Sequence, residues 1–114
     1  MTVSYLVRYE IVPENAIGFL EYYRTRHTAI LWRMPGLQRL VLHRPADCND
    51  PAAVTAGTTF LLVQMDFADE AALKGALASP ARAEARADFH RFPAFAGTVT
   101  HQAMTAEEVP PPAR

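Results

Sequence analysis

The spacing of hydrophobic residues changes along the first third of the chain. Over residues 3–11 they alternate with polar residues, and Tyr5, Val7 and Tyr9 share one face, which predicts a β-strand. Over residues 16–34 the period lengthens to three or four, which predicts a long helix with one face turned toward a core or a pocket. That face consists of Ala16, Leu20, Tyr23, His27, Ile30 and Met34.

Three more strands and two short helices are predicted after this helix. Pro35 and Gly36 end it, because proline cannot continue a helix and glycine tolerates the left-handed backbone that often follows one. The remaining segments are a strand over 37–44, a loop over 46–57, a strand over 58–67, helices that begin after Asp69 and Ser79, and a strand over 98–104. The strand over 58–67 is almost continuously apolar, so we expect it at the centre of the sheet.

This order of elements is that of the ferredoxin-like βαββαβ fold, an α+β architecture with a four-stranded antiparallel sheet. Right-handed crossovers place both helical segments on one face of that sheet. The sequence therefore predicts one domain over residues 1–106, followed by a proline-rich, disordered tail over residues 107–114. Apolar residues on the uncovered sheet face predict a homodimer, in which two sheets face each other as a dimeric α+β barrel.

Composition narrows the functional classes. The 114 residues are half hydrophobic, which suits one core, and the formal net charge of −1 argues against nucleic acid as a partner. No apolar stretch is long enough to span a bilayer, so no membrane is expected as a partner. The single cysteine, Cys48, excludes an intrachain disulfide and favours a cytoplasmic location.

Two short motifs resemble the EthD-like family of dimeric α+β barrel proteins. The first is the segment FLEYYRTRH, from Phe19 to His27, and the second is MPGL over residues 34–37. The first helix of the family typically contains a phenylalanine, an aromatic pair and a histidine, and a proline-glycine-leucine turn leads to the second strand. Asp88 and Phe92 also match the family's pattern late in the last helix.

The resemblance implies a small pocket, often of unassigned role. Muconolactone-type isomerases, polyketide cyclases and cofactor-free quinone-forming monooxygenases share the fold, so the fold alone does not choose among these activities. Ala29 and Ile30 stand where the family usually has proline and leucine. This departure predicts a more regular backbone near His27.

His27 is the candidate catalytic residue. Its imidazole interrupts an otherwise apolar helix face, and imidazole titrates near neutral pH, as a general acid or base must. The alternative is a core histidine that one hydrogen bond satisfies. Candidate substrate-binding residues are Tyr23, Tyr9, Trp32 and Phe92, whose aromatic rings could line an apolar pocket or belong to the core.

No metal or other cofactor is predicted. The remaining histidines are His43, His90 and His101, and no two histidines have the four-residue spacing of a helical metal pair. Haem held by one histidine stays open as a minor alternative. Glycine-rich phosphate loops, serine elbows and dinucleotide fingerprints are absent from the sequence.

These observations predict a cofactor-independent enzyme of the isomerase, cyclase or monooxygenase type. Its substrate would be a small apolar carbonyl or cyclic compound, and His27 would transfer a proton in a catabolic or secondary-metabolite pathway. A non-catalytic ligand-binding or accessory protein of a degradation pathway is the alternative. The sequence does not decide whether the pocket is catalytic.

Overall fold

The predicted ferredoxin-like α+β fold is confirmed. The computed structural model describes residues 1–48, 51–52 and 56–113. Its strands are β1 (Val3–Glu10), β2 (Arg39–His43), β3 (Thr59–Phe67) and β4 (Val99–Thr105). They form an antiparallel sheet in the order β2-β3-β1-β4, so the most apolar strand, β3, is central as predicted.

The helices of the described residues pack on one face of this sheet. They are α1 (Ala16–Tyr22), a π-helical turn (Tyr23–His27), α2 (Thr28–Leu31), α3 (Glu70–Leu77), α4 (Pro80–Asp88) and a 3₁₀ turn (Phe89–Arg91). Side chains of Asn15, Asp69 and Ser79 each accept a hydrogen bond from the backbone N–H three residues later. These caps satisfy N–H groups that the first turn of a helix leaves unpaired, which is why the sequence located all three starts.

The long helix from α1 to α2 is not regular near His27, contrary to the expectation from Ala29 and Ile30. Over the π-helical turn the chain makes hydrogen bonds that span five residues, and the N–H of Thr28 donates to the carbonyl of Tyr23. Such a turn accommodates one more residue than an α-helical turn. It changes which side chains of the long helix face the sheet.

The buried positions of this helix differ from the predicted stripe. They are Phe19, Tyr23, His27, Leu31 and Met34, whereas the predicted members Leu20 and Ile30 are only half-buried. Three successive steps of four residues would rotate a side chain by roughly 40° per step in an ordinary α-helix. The wider π turn absorbs that drift and keeps one continuous buried face.

The core lies between the sheet and the helices. β1 directs Val3, Tyr5, Val7 and Tyr9 to this side, opposite alternate residues of β3. Phe19 is at its centre and is fully buried. Its ring contacts five other aromatic rings at centroid distances of 5.2 to 6.4 Å; they belong to Tyr9, Tyr23, Phe60, Phe92 and Phe95.

The other sheet face is more polar than the hydrophobic pattern predicted. Alternation along the strands assigns to it the apolar residues Leu6, Val41, Leu62 and Met104. Between them lie two ion pairs, each with a nitrogen-to-oxygen distance of 3.8 Å, formed by Arg8 with Glu10 and by Arg39 with Asp66. Apolar area alone therefore gives weaker support for a partner sheet than the sequence suggested.

The described part of the chain after β4 forms no regular structure. Residues 106–113 are exposed and belong to no helix or strand, while Arg114 and parts of the predicted loop over 46–57 lie outside the described residues. Cys48 is exposed and has a free thiol. Among the described residues, no helix is both long and apolar enough to cross a bilayer.

We expect Phe19→Ala to lower the free energy of unfolding by about 3–5 kcal/mol, because it removes a buried ring and leaves a cavity. Ile17→Ala is the matched control, since Ile17 lies on the same helix with 82% of its surface exposed, and should change stability by less than about 0.5 kcal/mol. Urea denaturation of both variants measures the difference. Equal losses would contradict this account of the core.

Candidate functional site

A cavity of about 410 Å³ lies between the sheet and the helices. Its aliphatic lining residues include Val7, Leu31 and Met65, and Val7 lies between Tyr5 and Tyr9 on the same face of β1. Its polar lining residues fall into two groups. One comprises Tyr9, Tyr23 and His27, and the other comprises Tyr5, Arg82, Arg86 and His101.

His27 is paired with Asp88 inside the protein. The distance from His27 Nδ1 to Asp88 Oδ2 is 2.9 Å, and both side chains are less than a tenth exposed. The π turn directs the imidazole toward α4, where Asp88 occupies the last position. This contact links two helices whose residues are 61 positions apart in the sequence.

Two further side chains donate hydrogen bonds to Asp88. The hydroxyl of Tyr22 donates to Oδ1 at 2.8 Å, and Nη1 of Arg91 approaches the same oxygen at 3.4 Å. A buried carboxylate needs such partners, because removing a charge from water without compensation is costly. The three donors therefore stabilise Asp88 in its ionised form.

Sequence reasoning missed Asp88 as a site residue, although its helix contains a signal. Ala81, Ala85 and Asp88 recur at spacings of four and three, and all three are buried. A carboxylate on the apolar stripe of a helix requires a buried partner. That pattern could have indicated a pairing with His27.

The pKa values of the two groups shift so that the pair holds one negative charge. Burial lowers the pKa of His27 below its usual value, and the hydrogen bond and charge of Asp88 offset only part of this effect. Burial raises the pKa of Asp88, but the hydrogen bonds from His27, Tyr22 and Arg91 outweigh it and lower that pKa overall. Near neutral pH the imidazole is neutral and donates its Nδ1 proton to the carboxylate.

The other imidazole nitrogen, Nε2, is free to act on a ligand. Nε2 has no hydrogen-bond partner among the described residues. Within that part of the chain, every side-chain nitrogen or oxygen that is fully buried does have a partner, so Nε2 cannot be fully buried. Nε2 is therefore accessible, and His27 lines the cavity. With its proton on Nδ1, the ring presents an unprotonated Nε2 that can accept a proton.

Tyr9 and Tyr23 form a second polar pair beside His27. Burial raises the pKa of Tyr9 to about 12, although a hydrogen bond with Tyr23 opposes this rise. Burial, followed by the interaction with Tyr9, raises the pKa of Tyr23 well above its usual value. Both phenols therefore keep their protons at neutral pH, and the ring of Tyr23 lies 4.8 Å from that of His27.

The structure separates the other candidates proposed from sequence. Phe92 packs edge-on against His27 at a centroid distance of 4.7 Å, behind the cavity and not among its lining residues. Trp32 is 51% exposed and does not line the cavity. The prediction that Trp32 contacts a substrate has no support from this position, because half of the residue faces solvent and none of it lines the cavity.

Within the described residues, no group of three or more His, Cys, Asp or Glu side chains could hold a metal ion. The His27 and Asp88 pair adds only one carboxylate to one imidazole.

Several solved structures have this architecture. An EthD family protein of Bacillus halodurans is 21% identical and has a TM-score of 0.75, over 94% of this chain and 100% of that one. SnoaB, a cofactor-independent oxygenase of Streptomyces nogalater, is 22% identical with a TM-score of 0.64, over 97% and 98%. A dimeric ferredoxin-like protein of unknown function from Thermobifida fusca is 13% identical with a TM-score of 0.64, over 93% and 92%.

The predicted resemblance to EthD-like proteins is therefore confirmed as a likeness of fold. At these sequence identities the comparison establishes the ferredoxin-like fold. No family model and no curated protein matches the sequence.

We expect the pKa of His27, followed by NMR, to lie below the ordinary value of 6.5. In Asp88→Asn it should fall further, because the substitution removes the carboxylate charge that favours the imidazolium. Asp47→Asn is the control, since Asp47 is exposed and its replacement changes the net charge equally. A pKa at or above 6.5, or no change in Asp88→Asn, would contradict the proposed protonation states.

The lowered pKa of His27 also predicts how stability depends on pH. Between pH 7 and pH 5 the unfolded state takes up a proton on this histidine before the folded state does, so acidification favours unfolding. We expect wild-type protein to lose more stability over this interval than His27→Gln. His90→Gln, at an exposed histidine, serves as the control. Urea denaturation at both pH values tests this, and an equal loss in wild type and His27→Gln would contradict it.

Proposed function

We propose that this protein is a cofactor-independent enzyme that transfers a proton to or from a small apolar carbonyl or cyclic compound, with His27 as the general base and acid. One observation supports this above all. A buried, ionised Asp88 holds Nδ1 of His27, while Nε2 is open to an apolar cavity. A histidine that only filled the core would need no accessible nitrogen.

The arrangement supplies the elements of general acid–base catalysis. Nε2 takes a proton from a substrate carbon or hydroxyl, and Asp88 then stabilises the resulting imidazolium across the 2.9 Å contact. Asp88 acts here as a positioning residue, because it fixes the tautomer and the orientation of the ring. The proton can return from Nε2 to a different atom of the substrate, which completes an isomerisation or cyclisation.

Tyr9 and Tyr23 support the same chemistry. Removal of a proton next to a carbonyl, or from a phenol, leaves negative charge on oxygen. Both hydroxyls keep their protons near neutral pH, so a phenol is available to donate to an external acceptor. A protonated phenol aimed at such an oxygen stabilises the charge as it develops.

The similarity to SnoaB supports the oxygenase form of this proposal, since that protein is a cofactor-independent oxygenase. Isomerase, cyclase and oxygenase reactions can all begin with loss of a proton to a base such as His27. The dimeric relative from Thermobifida fusca supports a homodimer for this chain. The exposed thiol of Cys48 is consistent with a reducing cytoplasm.

A non-catalytic ligand-binding role is the second candidate. The aliphatic middle of the cavity could hold a small apolar molecule whether or not His27 acts on it. In that case a ligand would raise the melting temperature without yielding product, because binding only to the folded state stabilises it. Product analysis of the same mixtures separates the two roles.

We expect His27→Gln to lower kcat by about 100-fold or more on any compound that the wild type converts, because it removes the general base. A panel of lactones and hydroxyaromatic compounds, with product analysis and oxygen consumption, identifies such a compound. His90→Gln is the matched control, since His90 is exposed and lies outside the cavity lining. Unchanged turnover by folded His27→Gln would exclude this role for His27.

A further inference from the structure

The second polar group of the cavity, Tyr5, Arg82, Arg86 and His101, has no part in the proton transfer proposed above. Arg82 lies six residues before Asp88 on α4, so these two residues are roughly 9 Å apart along the helix axis. Arg86 lies one turn after Arg82, and it belongs to this group because its charge, like that of Arg82, acts on His101. On the sheet, Tyr5 and Tyr9 lie four residues apart on β1, which is about 13 Å along the strand. The cavity is therefore polar at both ends and apolar between them.

A chain of contacts holds the side chains of this end in place. Nη2 of Arg82 approaches the hydroxyl of Tyr5 at 3.4 Å, and that hydroxyl lies 2.9 Å from Nδ1 of His101. The guanidinium carbon of Arg82 also lies 5.5 Å from the centre of the Tyr5 ring, within the range of a cation–π contact. The hydroxyl oxygen of Tyr5 accepts from Arg82, and the same hydroxyl forms a hydrogen bond with His101.

The positive charge at this end is not balanced by an acidic side chain. Among the described residues, neither Arg82 nor Arg86 forms an ion pair, whereas Arg33 in the turn after α2 and Arg91 in the 3₁₀ turn do. Burial lowers the pKa of His101, and the charges of Arg82 and Arg86 lower it further. His101 therefore stays neutral near pH 7, and the two guanidinium groups are the charges that a ligand would meet.

We propose that this end of the cavity, formed by Arg82 and Arg86 and supported by Tyr5 and His101, binds a carboxylate group of the substrate. The guanidinium group offers paired N–H donors that match the two oxygens of a carboxylate. The apolar middle would hold a body about the length of two fused rings, given separations of roughly 9 Å along α4 and about 13 Å along β1. That the bound carboxylate belongs to a substrate rests on the proposed function. The carboxylate-binding site itself does not depend on catalysis.

The test compares two probes that differ mainly in charge, 2-naphthoate and 2-naphthamide, by isothermal titration calorimetry on the full-length protein. We expect wild-type protein to bind 2-naphthoate at least about tenfold more tightly than 2-naphthamide. Arg82→Gln should lower the affinity for 2-naphthoate by about tenfold and change the affinity for 2-naphthamide by less than about twofold. Arg86→Gln should act in the same direction.

Arg44→Gln is the matched control for net charge. Arg44 is exposed and follows β2, at the sheet edge opposite β4 and its His101, so both probes should bind this variant as they bind wild type. Equal affinities of wild type for the two probes, or no binding of either at millimolar concentration, would overturn the proposal. So would an equal loss for both probes in Arg82→Gln, since a structural defect would act on both.

His27→Gln separates this inference from the proposed function. It should keep the preference for 2-naphthoate, because the carboxylate would lie at the other end of the cavity. If that preference persists while turnover never depends on His27, the carboxylate site stands and the catalytic role fails. If turnover depends on His27 but the preference is absent, the carboxylate site fails and the catalytic role stands.

Discussion

The buried contact between His27 and Asp88 is the interaction on which the site depends. It connects the long helix to α4 across the interior and requires three hydrogen-bond donors around one carboxylate. Such a charge is stable inside a protein only when its partners are present. The same contact sets the tautomer of the imidazole. The hydrogen bond that stabilises the buried Asp88 carboxylate therefore also leaves Nε2 of His27 unprotonated and able to act as a base.

The π turn makes this arrangement compatible with a packed core. Phe19, Tyr23, His27 and Leu31 must all face the sheet, although their spacing of four residues does not suit an ordinary α-helix. A local widening of the helix solves this geometric conflict. Turns of this kind are uncommon and are frequently found at functional sites. Here the turn brings a polar ring to the cavity without removing aromatic rings from the core.

Sequence signals that act over a few residues were enough to predict the fold but not the contacts that form the site. Capping side chains, strand alternation and the turn at Gly36 act over a few residues, so the order and nearly all of the boundaries could be predicted from the sequence. The pairing of His27 with Asp88 depends on contacts across 61 positions, and the π turn depends on packing against the sheet. The helical periodicity identified His27 itself, because a polar ring on an apolar stripe is visible in one segment.

The two ends of the cavity differ in charge, and this difference has a consequence for orientation. The end with His27 and Asp88 holds one negative charge that three donors already satisfy, whereas Arg82 and Arg86 have no acidic partner among the described residues. An anionic group is therefore attracted to the end with Arg82 and Arg86 and finds no unpaired positive charge at the other, where Arg91 is already paired with Asp88. A neutral, reactive portion of the same molecule would then lie beside Nε2, with the aliphatic middle excluding water. Charge asymmetry of this kind orients a ligand before any chemistry begins, which is how a small cavity with few polar groups can select one of two binding directions.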